Sequence, residues 1–314
     1  MLQSRLNPYD GLGAMPFLGE FAALAVSVFF SIGPIFFTLG GRLLGSVVVN
    51  RTRLLVGTLI LLSVHFLLYG QFFPTAAQPY RWFWLALSGL IGLTLGDAAL
   101  FQAFVQIGAR PTMLIFSLSP VLSAILAWLF LGESLAPLQL LGIAITVSGV
   151  IWVVAEGQGR SLSDIDRRNY LTGLGFAFLG GLGQSAGLVT AKFGLDGDFP
   201  ALSGQVIRML AATLGIWLIA LAQRQVRSTI KSFRANPLAA RYVLFGAISG
   251  PVIGVYFSLV AIQFAPVGIA STLMALPPIF LIPIDYIFFK EKVSWRAILG
   301  TLVALSGVAI LFLI

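Results

Sequence analysis

Apolar residues in this chain fall in ten long runs separated by short polar breaks. The runs cover about residues 17–39, 54–73, 82–104, 111–131, 137–155, 170–192, 201–222, 241–263, 268–289 and 295–314. An α-helix rises 1.5 Å per residue, so ~20 apolar residues cross the hydrocarbon core of a bilayer. The pattern therefore predicts ten membrane-spanning helices. The breaks carry the charge: "NRTR" between the first and second runs, "FPTAAQPYR" after the second, "EGQGRSLSDIDRRNY" after the fifth.

Composition agrees with this. Hydrophobic residues make up 58% and charged residues 10%, against about 25% charged in a soluble domain. The chain holds no cysteine, so a disulfide framework or thiolate metal site is excluded. The single histidine cannot assemble a His metal site, and no cofactor is expected. The net charge of +8 lies in loops beside apolar runs, where it sets topology, and no soluble domain is left to bind nucleic acid. No signal-peptide cleavage site follows the first run, which starts near Pro16.

The chain also repeats itself. "LGESLAPLQLLGIAITVSGVIWV" (131–153) returns as "FKEKVSWRAILGTLVALSGVAILF" (289–312) at an offset of 291 − 133 = 158. Gly142 falls on Gly300, Gly149 on Gly307, Pro120 on Pro278, Gly96 on Gly254 and Ser27 on Ser185. Arg53 and Arg208 correspond at 155, with a small gap between. The expected fold is thus an all-α membrane protein of ten transmembrane helices in two five-helix repeats. An N-terminal segment (1–16) precedes the first repeat (17–155), and a linker loop (156–169) separates it from the second (170–314). Five is odd, so the second half enters from the opposite face and the repeats are inverted. Such halves suit alternating access around a midplane site; duplication that merely builds a stable bundle is the plainer alternative.

Counting Lys and Arg by loop gives fifteen on one side and four on the other. The positive-inside rule puts the fifteen in the cytoplasm and both termini outside, in a cell (inner or plasma) membrane.

The junction "FLGESLAPLQLLGIAITVSGV" and its copy "FFKEKVSWRAILGTLVALSGV", each with a proline thirteen residues before the glutamate (Pro120 to Glu133, Pro278 to Glu291), resemble the EamA family of the drug/metabolite transporter superfamily. The likeness covers nearly the whole chain. It implies a ten-helix fold and export of small metabolites or drugs. It also implies a central cavity lined by the first, third, fourth, sixth, eighth and ninth helices, with the fifth and tenth outside. The family's better-known members are usually described with both termini cytoplasmic, the reverse of the charge count.

Ionisable groups inside a span are costly and are functional suspects. Asp97 lies ~6 Å past the middle of the third run. It is suited to exchange a proton or pair with a cationic solute group; the alternative is a neutral carboxyl tying two helices together. Asp285 is a second proton-coupling candidate, but the nearby Lys290 and Lys292 favour an interfacial ion pair. Glu133 and Glu291 suit helix N-termini, and His65 suits packing. Pro34, Pro120, Pro251 and Pro278 free backbone carbonyls, as hinges or cavity lining. Polar stripes mark Ser27, Ser31, Ser119, Gln184 and Tyr256, with Asp97, as the expected solute-binding set. Interhelical glue is the alternative for each serine.

The expected activity is secondary-active export of a small organic solute, with proton coupling through Asp97 as an option. No phosphate loop is present, so ATP is not the direct driver. With no Arg or Lys expected near the midplane, neutral, zwitterionic or cationic solutes are favoured over anionic ones. A flippase for a lipid-linked intermediate is the alternative transport reading, and a non-transporting structural or receptor protein the alternative from another class. An intramembrane enzyme is not expected, because Asp97 has no second deep carboxylate beside it. The bilayer and the solute are the expected partners, and a homodimer is one assembly open to such a chain.

Overall fold

The computed structural model describes residues 17–132, 136–161, 167–196, 199–254, 257–258, 260–261, 273–289 and 294–312. Among them there is no strand. The helices are α1 (Leu18–Leu44), α2 (Ser46–Tyr69), α3 (Pro79–Gly89), α4 (Asp97–Ile107), α5 (Ala109–Phe116), α6 (Ser119–Leu131), α7 (Pro137–Ser161), α8 (Arg167–Gly194), α9 (Ala201–Ala222), α10 (Val226–Ala235), α11 (Pro237–Ala247), α12 (Pro277–Phe289) and α13 (Trp295–Phe312). Two π-helical segments interrupt the series, at Leu90–Gly96 between α3 and α4 and at Ile248–Gly254 after α11.

Among the described residues, seven helical stretches are long and apolar enough to cross a membrane: Leu18–Leu44, Ser46–Tyr69, Pro79–Ile107, Ala109–Phe130, Arg167–Gly194, Leu202–Ala222 and Pro237–Gly254. Pro137–Val153 and Trp295–Ile310 are shorter apolar helices. Large apolar side chains such as Leu67, Phe130 and Leu218 stand exposed on the outside. In water they would make aggregation-prone patches; in lipid they are the expected surface.

The repeat found in the sequence returns in the elements. α3 and α11, the two π-segments, α6 and α12, and α7 and α13 all begin 158 residues apart. The halves also interlock. α8, which opens the second half, packs along α3, the first π-segment and α4 of the first half. α1 packs along α11 and the second π-segment of the second half. α7 and α13 make the most extensive helix pair. Their seam runs on the repeated glycines: a Cβ on Gly149 would lie 2.7 Å from Gly300 O, and one on Gly307 would lie 2.6 Å from Gly142 O. Close backbone approach of this kind is how helices associate where lipid removes the hydrophobic driving force.

Two boundaries differ from the sequence expectation. α2 starts at Ser46, not near residue 54. The polar run that read as a loop is helical, with Asn50, Arg51, Thr52 and Arg53 all buried. Internal partners make this tolerable: Arg51 Nη2 donates to Gln225 Oε1 (2.8 Å), and its Nη1 to Thr229 Oγ1 (3.1 Å). Arg51 and Arg53 therefore leave the count of loop cations. The one-residue connection to α1 is possible because Gly45 takes a left-handed φ of 84°. The second difference is α10, a short helix where a loop was expected. Arg227, Lys231 and Arg234 share its exposed face, while Thr229 turns inward.

Candidate functional site

The charged and polar residues that the fold gathers come from four helices. Arg53 lies on α2, Asp97 at the junction of the first π-segment and α4, Gln184 on α8 and Arg208 on α9. Each sits within ~7 Å of the middle of its helix. Arg53, Asp97 and Arg208 are 6%, 6% and 8% exposed, so three charges lie in the protein interior.

Asp97 is where the sequence placed it, but it is not alone. Arg53 Nη2 donates to Asp97 Oδ2 in a buried ion pair. Arg53 Nε also donates to Asn50 Oδ1 (3.1 Å), and its guanidinium lies 4.8 Å from the centre of the Phe101 ring. Asp97 feels the charge of Arg208 as well. Arg208 Nη1 donates to Gln205 Oε1 at 3.2 Å, while its Nε and Nη2 have no hydrogen-bond partner and are buried. Gln184 Oε1 is likewise buried and unpartnered.

Glycine makes room for this cluster. A Cβ on Gly92, in the π-segment, would lie 3.1 Å from Gln184 Oε1 and 3.6 Å from Arg208 Nη2. A Cβ on Gly187 would lie 2.9 Å from Gly92 Cα, and one on Gly96 would lie 3.1 Å from Gly183 Cα. Gly89 sits against the Arg208 carbonyl with no space for a side chain. The π-segment thus meets α8, and the end of α3 meets α9, backbone to backbone, with the Arg208 and Gln184 side chains beside Gly92. A π-turn inside an α-helix is an unusual geometry that often accompanies functional sites.

The sequence expectation that no Arg or Lys lies deep is corrected here. Arg53, at the opening of the second run, and Arg208 were both expected away from the midplane. Both are buried because each has internal polar company. The ground for disfavouring anionic solutes goes with it. The resemblance set the second span toward the periphery, yet α2 supplies Arg53 to the interior. The signal was present in the sequence: Arg53 and Arg208 are repeat mates, and a cation kept in both halves of so apolar a chain points inward.

The expected serines are occupied between helices. Ser27 Oγ donates to Leu273 O, and Ser31 Oγ donates to Ser27 O (2.6 Å) and to Pro277 O (3.2 Å). Ser119 Oγ donates to Gly181 O (3.4 Å), and Ser119 O accepts from Ser185 Oγ (2.8 Å). Their hydroxyls therefore join α1 to the start of α12 and α8 to the start of α6. Pro120 and Pro278 both lie in the first turn of these helices, where proline costs no hydrogen bond. Pro34 lies inside α1 and Pro251 inside the second π-segment. His65 Nδ1 donates to Gln71 O (2.6 Å) and its Nε2 pairs with Ser203 Oγ (3.0 Å), a packing role between α2 and α9. Tyr256, Glu133, Glu291, Lys290, Lys292 and the Asp285 side chain lie outside the described residues.

The model of the EamA-like transporter family matches residues 17–155 and again 171–313. The chain belongs to the EamA-like transporter family. As a member, it is a multi-pass membrane transporter carrying two EamA repeats. A solved structure described as "Crystal structure of protein" has the same fold, with a TM-score of 0.61 at 16% identity over 94% of this chain and 96% of its own. Comparison with curated proteins gives no match.

Proposed function

We propose that this EamA protein is a secondary-active exporter of a small organic solute, working by alternating access between two inverted five-helix halves. The carrying observation is the reciprocity of contacts between repeat mates. Gly149 meets Gly300, and Gly307, the mate of Gly149, meets Gly142, the mate of Gly300. On α2 and α9 the mates Thr58 and Thr213 touch each other directly, hydroxyl to hydroxyl at 2.7 Å. When i meets j′ and j meets i′, a two-fold axis relates the parts. With five spans in each half, that axis lies in the membrane plane.

The buried cluster draws Arg53 and Arg208 from the same two helices, α2 and α9, on which the threonine mates touch. Arg53 and Asp97 fall on one side of their helix midpoints and Gln184 and Arg208 on the other, once the alternating helix directions are followed. The cluster therefore straddles the midplane, where alternating-access transporters hold their solute. In this reading α7, α12 and α13 join the seven longer stretches to make ten spans. Asp97 is the residue placed to couple a proton or to exchange partners as the halves rock.

Two measurements test this. In sealed liposomes containing the purified protein, labelled amino acids, nucleosides, sugar phosphates and organic cations should include one solute that shows saturable counterflow. Flux indistinguishable from empty liposomes across the whole panel would sink the transporter reading. For topology, the absence of native cysteine allows clean labelling. Ser228→Cys, on the exposed basic face between α9 and α11, should resist a membrane-impermeant maleimide in intact cells, and Thr75→Cys, in the exposed α2–α3 loop, should react. The opposite pattern would place both termini in the cytoplasm.

A further inference from the structure

We propose that Arg208 and Gln184 form an oxyanion site, which takes a carboxylate or phosphoryl group of the transported solute. The proposal rests on the transporter reading and adds the chemical class of the cargo.

The argument begins with charge. The cluster holds two guanidinium groups and one carboxylate, and Arg53 already engages that carboxylate. Arginine stays protonated in proteins. A buried charge without a partner is expensive, because the interior cannot replace the water it loses. Arg208 is 8% exposed, and Asp97 is the carboxylate whose charge reaches it. Among the described residues one elementary positive charge is therefore left over, and a single negative group of a solute would balance it.

Hydrogen bonding gives the same answer. A guanidinium has five N–H donors in a planar fork. Arg208 spends one on Gln205, and its Nε and Nη2 are empty. The Nε and Nη2 edge of arginine is the one that grips an oxyanion with two parallel bonds. Gln184 Oε1 is orphaned beside it, above Gly92. An amide turned end for end presents N–H₂ instead, so Gln184 can supply a further donor to the same oxygen atoms. Buried polar groups are nearly always paired. Unpaired atoms on two neighbouring residues, from two helices, at the middle of the protein, mark a place whose partner arrives from outside.

The backbone supports the geometry. Gly89 fixes α9 at the Arg208 carbonyl, and Gly92 and Gly187 bring the π-segment against α8. The guanidinium is thus presented from a rigid seam between the halves. Arg53, its repeat mate, is the counterexample that sharpens the point. It has the same placement in the other half, and there the carboxylate is built in.

The test uses the full-length protein in detergent and pairs of small probes that differ only in the oxyanion. Suitable pairs are benzoate and benzamide, glycine and glycinamide, and uridine monophosphate and uridine, at matched ionic strength. Inorganic phosphate and a short-chain phosphatidylglycerol complete the set. A ligand that binds only the folded state raises its unfolding temperature. At least one oxyanion should do so in a dose-dependent way while its neutral partner does not. Arg208→Gln should weaken that binding at least about tenfold, and Arg208→Lys should retain part of it. A shift from the lipid alone assigns the same site to a lipid headgroup. The proposal is overturned if neutral partners bind as well as their acids, if Arg208→Gln binds oxyanions undiminished, or if no probe shifts a cooperatively unfolding protein. Counterflow separates the two readings. Flux of a neutral solute that survives Arg208→Gln keeps the transporter and removes the oxyanion site. Oxyanion binding without any flux does the reverse.

Discussion

Asp97→Asn is expected to lower the stability of the folded protein by about 3–5 kcal/mol, the usual cost of removing one partner of a buried ion pair. The reason is the company that the carboxylate keeps. Arg53 would lose its counter-ion while remaining 6% exposed, and Arg208 would lose the carboxylate whose charge reaches it. Among the described residues of this cluster, Arg53 and Arg208 would then be left with no anion. Thermal unfolding in detergent checks the point, and the companion variant Arg53→Gln/Asp97→Asn gives the sharper reading. With both charges gone, at least half of the lost stability should return, since the penalty lies in the orphaned charge and not in the missing attraction. If Asp97→Asn unfolds at the parental temperature, or if the double variant is no better than the single, the pair is not the buried counter-charge described here. Transport should be lost in both variants.

The fold was legible because bilayers impose a simple grammar. Apolar length gave the helices, and the 158-residue offset anticipated pairs of elements that begin 158 residues apart, including two π-segments that no propensity would locate. What misled was a second use of polarity. "NRTR" at the end of the first loop looked like a break, because cations inside a span are costly. The cost is real, but partners far along the chain meet it: Asp97 for Arg53, and Gln225 and Thr229 for Arg51. Such partners lie 44 to 178 residues away and cannot be seen in a local window.

The site divides in the same way. Asp97 and Gln184 were candidates from the sequence, because a lone carboxylate and a glutamine beside a glycine-rich run stand out. Arg53 and Arg208 were missed as site residues although their correspondence was noticed. Expecting no Arg or Lys near the midplane hid their use: a cation preserved in both halves needs an interior reason. The serine stripes were read as solute-binding faces, with interhelical glue as the alternative. The structure spends those hydroxyls on carbonyls of neighbouring helices, at the starts of α6 and α12.

Gly149→Leu should be the most damaging substitution on the α7–α13 seam, at about 3 kcal/mol or more, the upper part of the range for overpacking. Most added side chains find a flexible neighbour that can move. Here the neighbour is backbone: Gly300 O lies 2.7 Å and Ala304 Cα 2.7 Å from where the Cβ would be. Only separating the two helices makes room, and that gives up the most extensive contact in the molecule. Gly307→Leu should cost a similar amount, because its Cβ would fall 2.6 Å from Gly142 O. The two together should cost less than their sum, since the first leucine already parts the helices. Gly175→Leu is the matched control. It lies exposed on α8 with nothing within 4 Å of its Cβ position, and losing a mid-helix glycine favours the helix by about 1 kcal/mol. The folded fraction by size-exclusion, and the unfolding midpoint in detergent, should therefore fall for the two seam variants and hold or rise for the control. Equal behaviour of all three would mean that the seam tolerates separation. The repeated glycine would then be a trace of duplication, without the contact between mates that holds the two halves together.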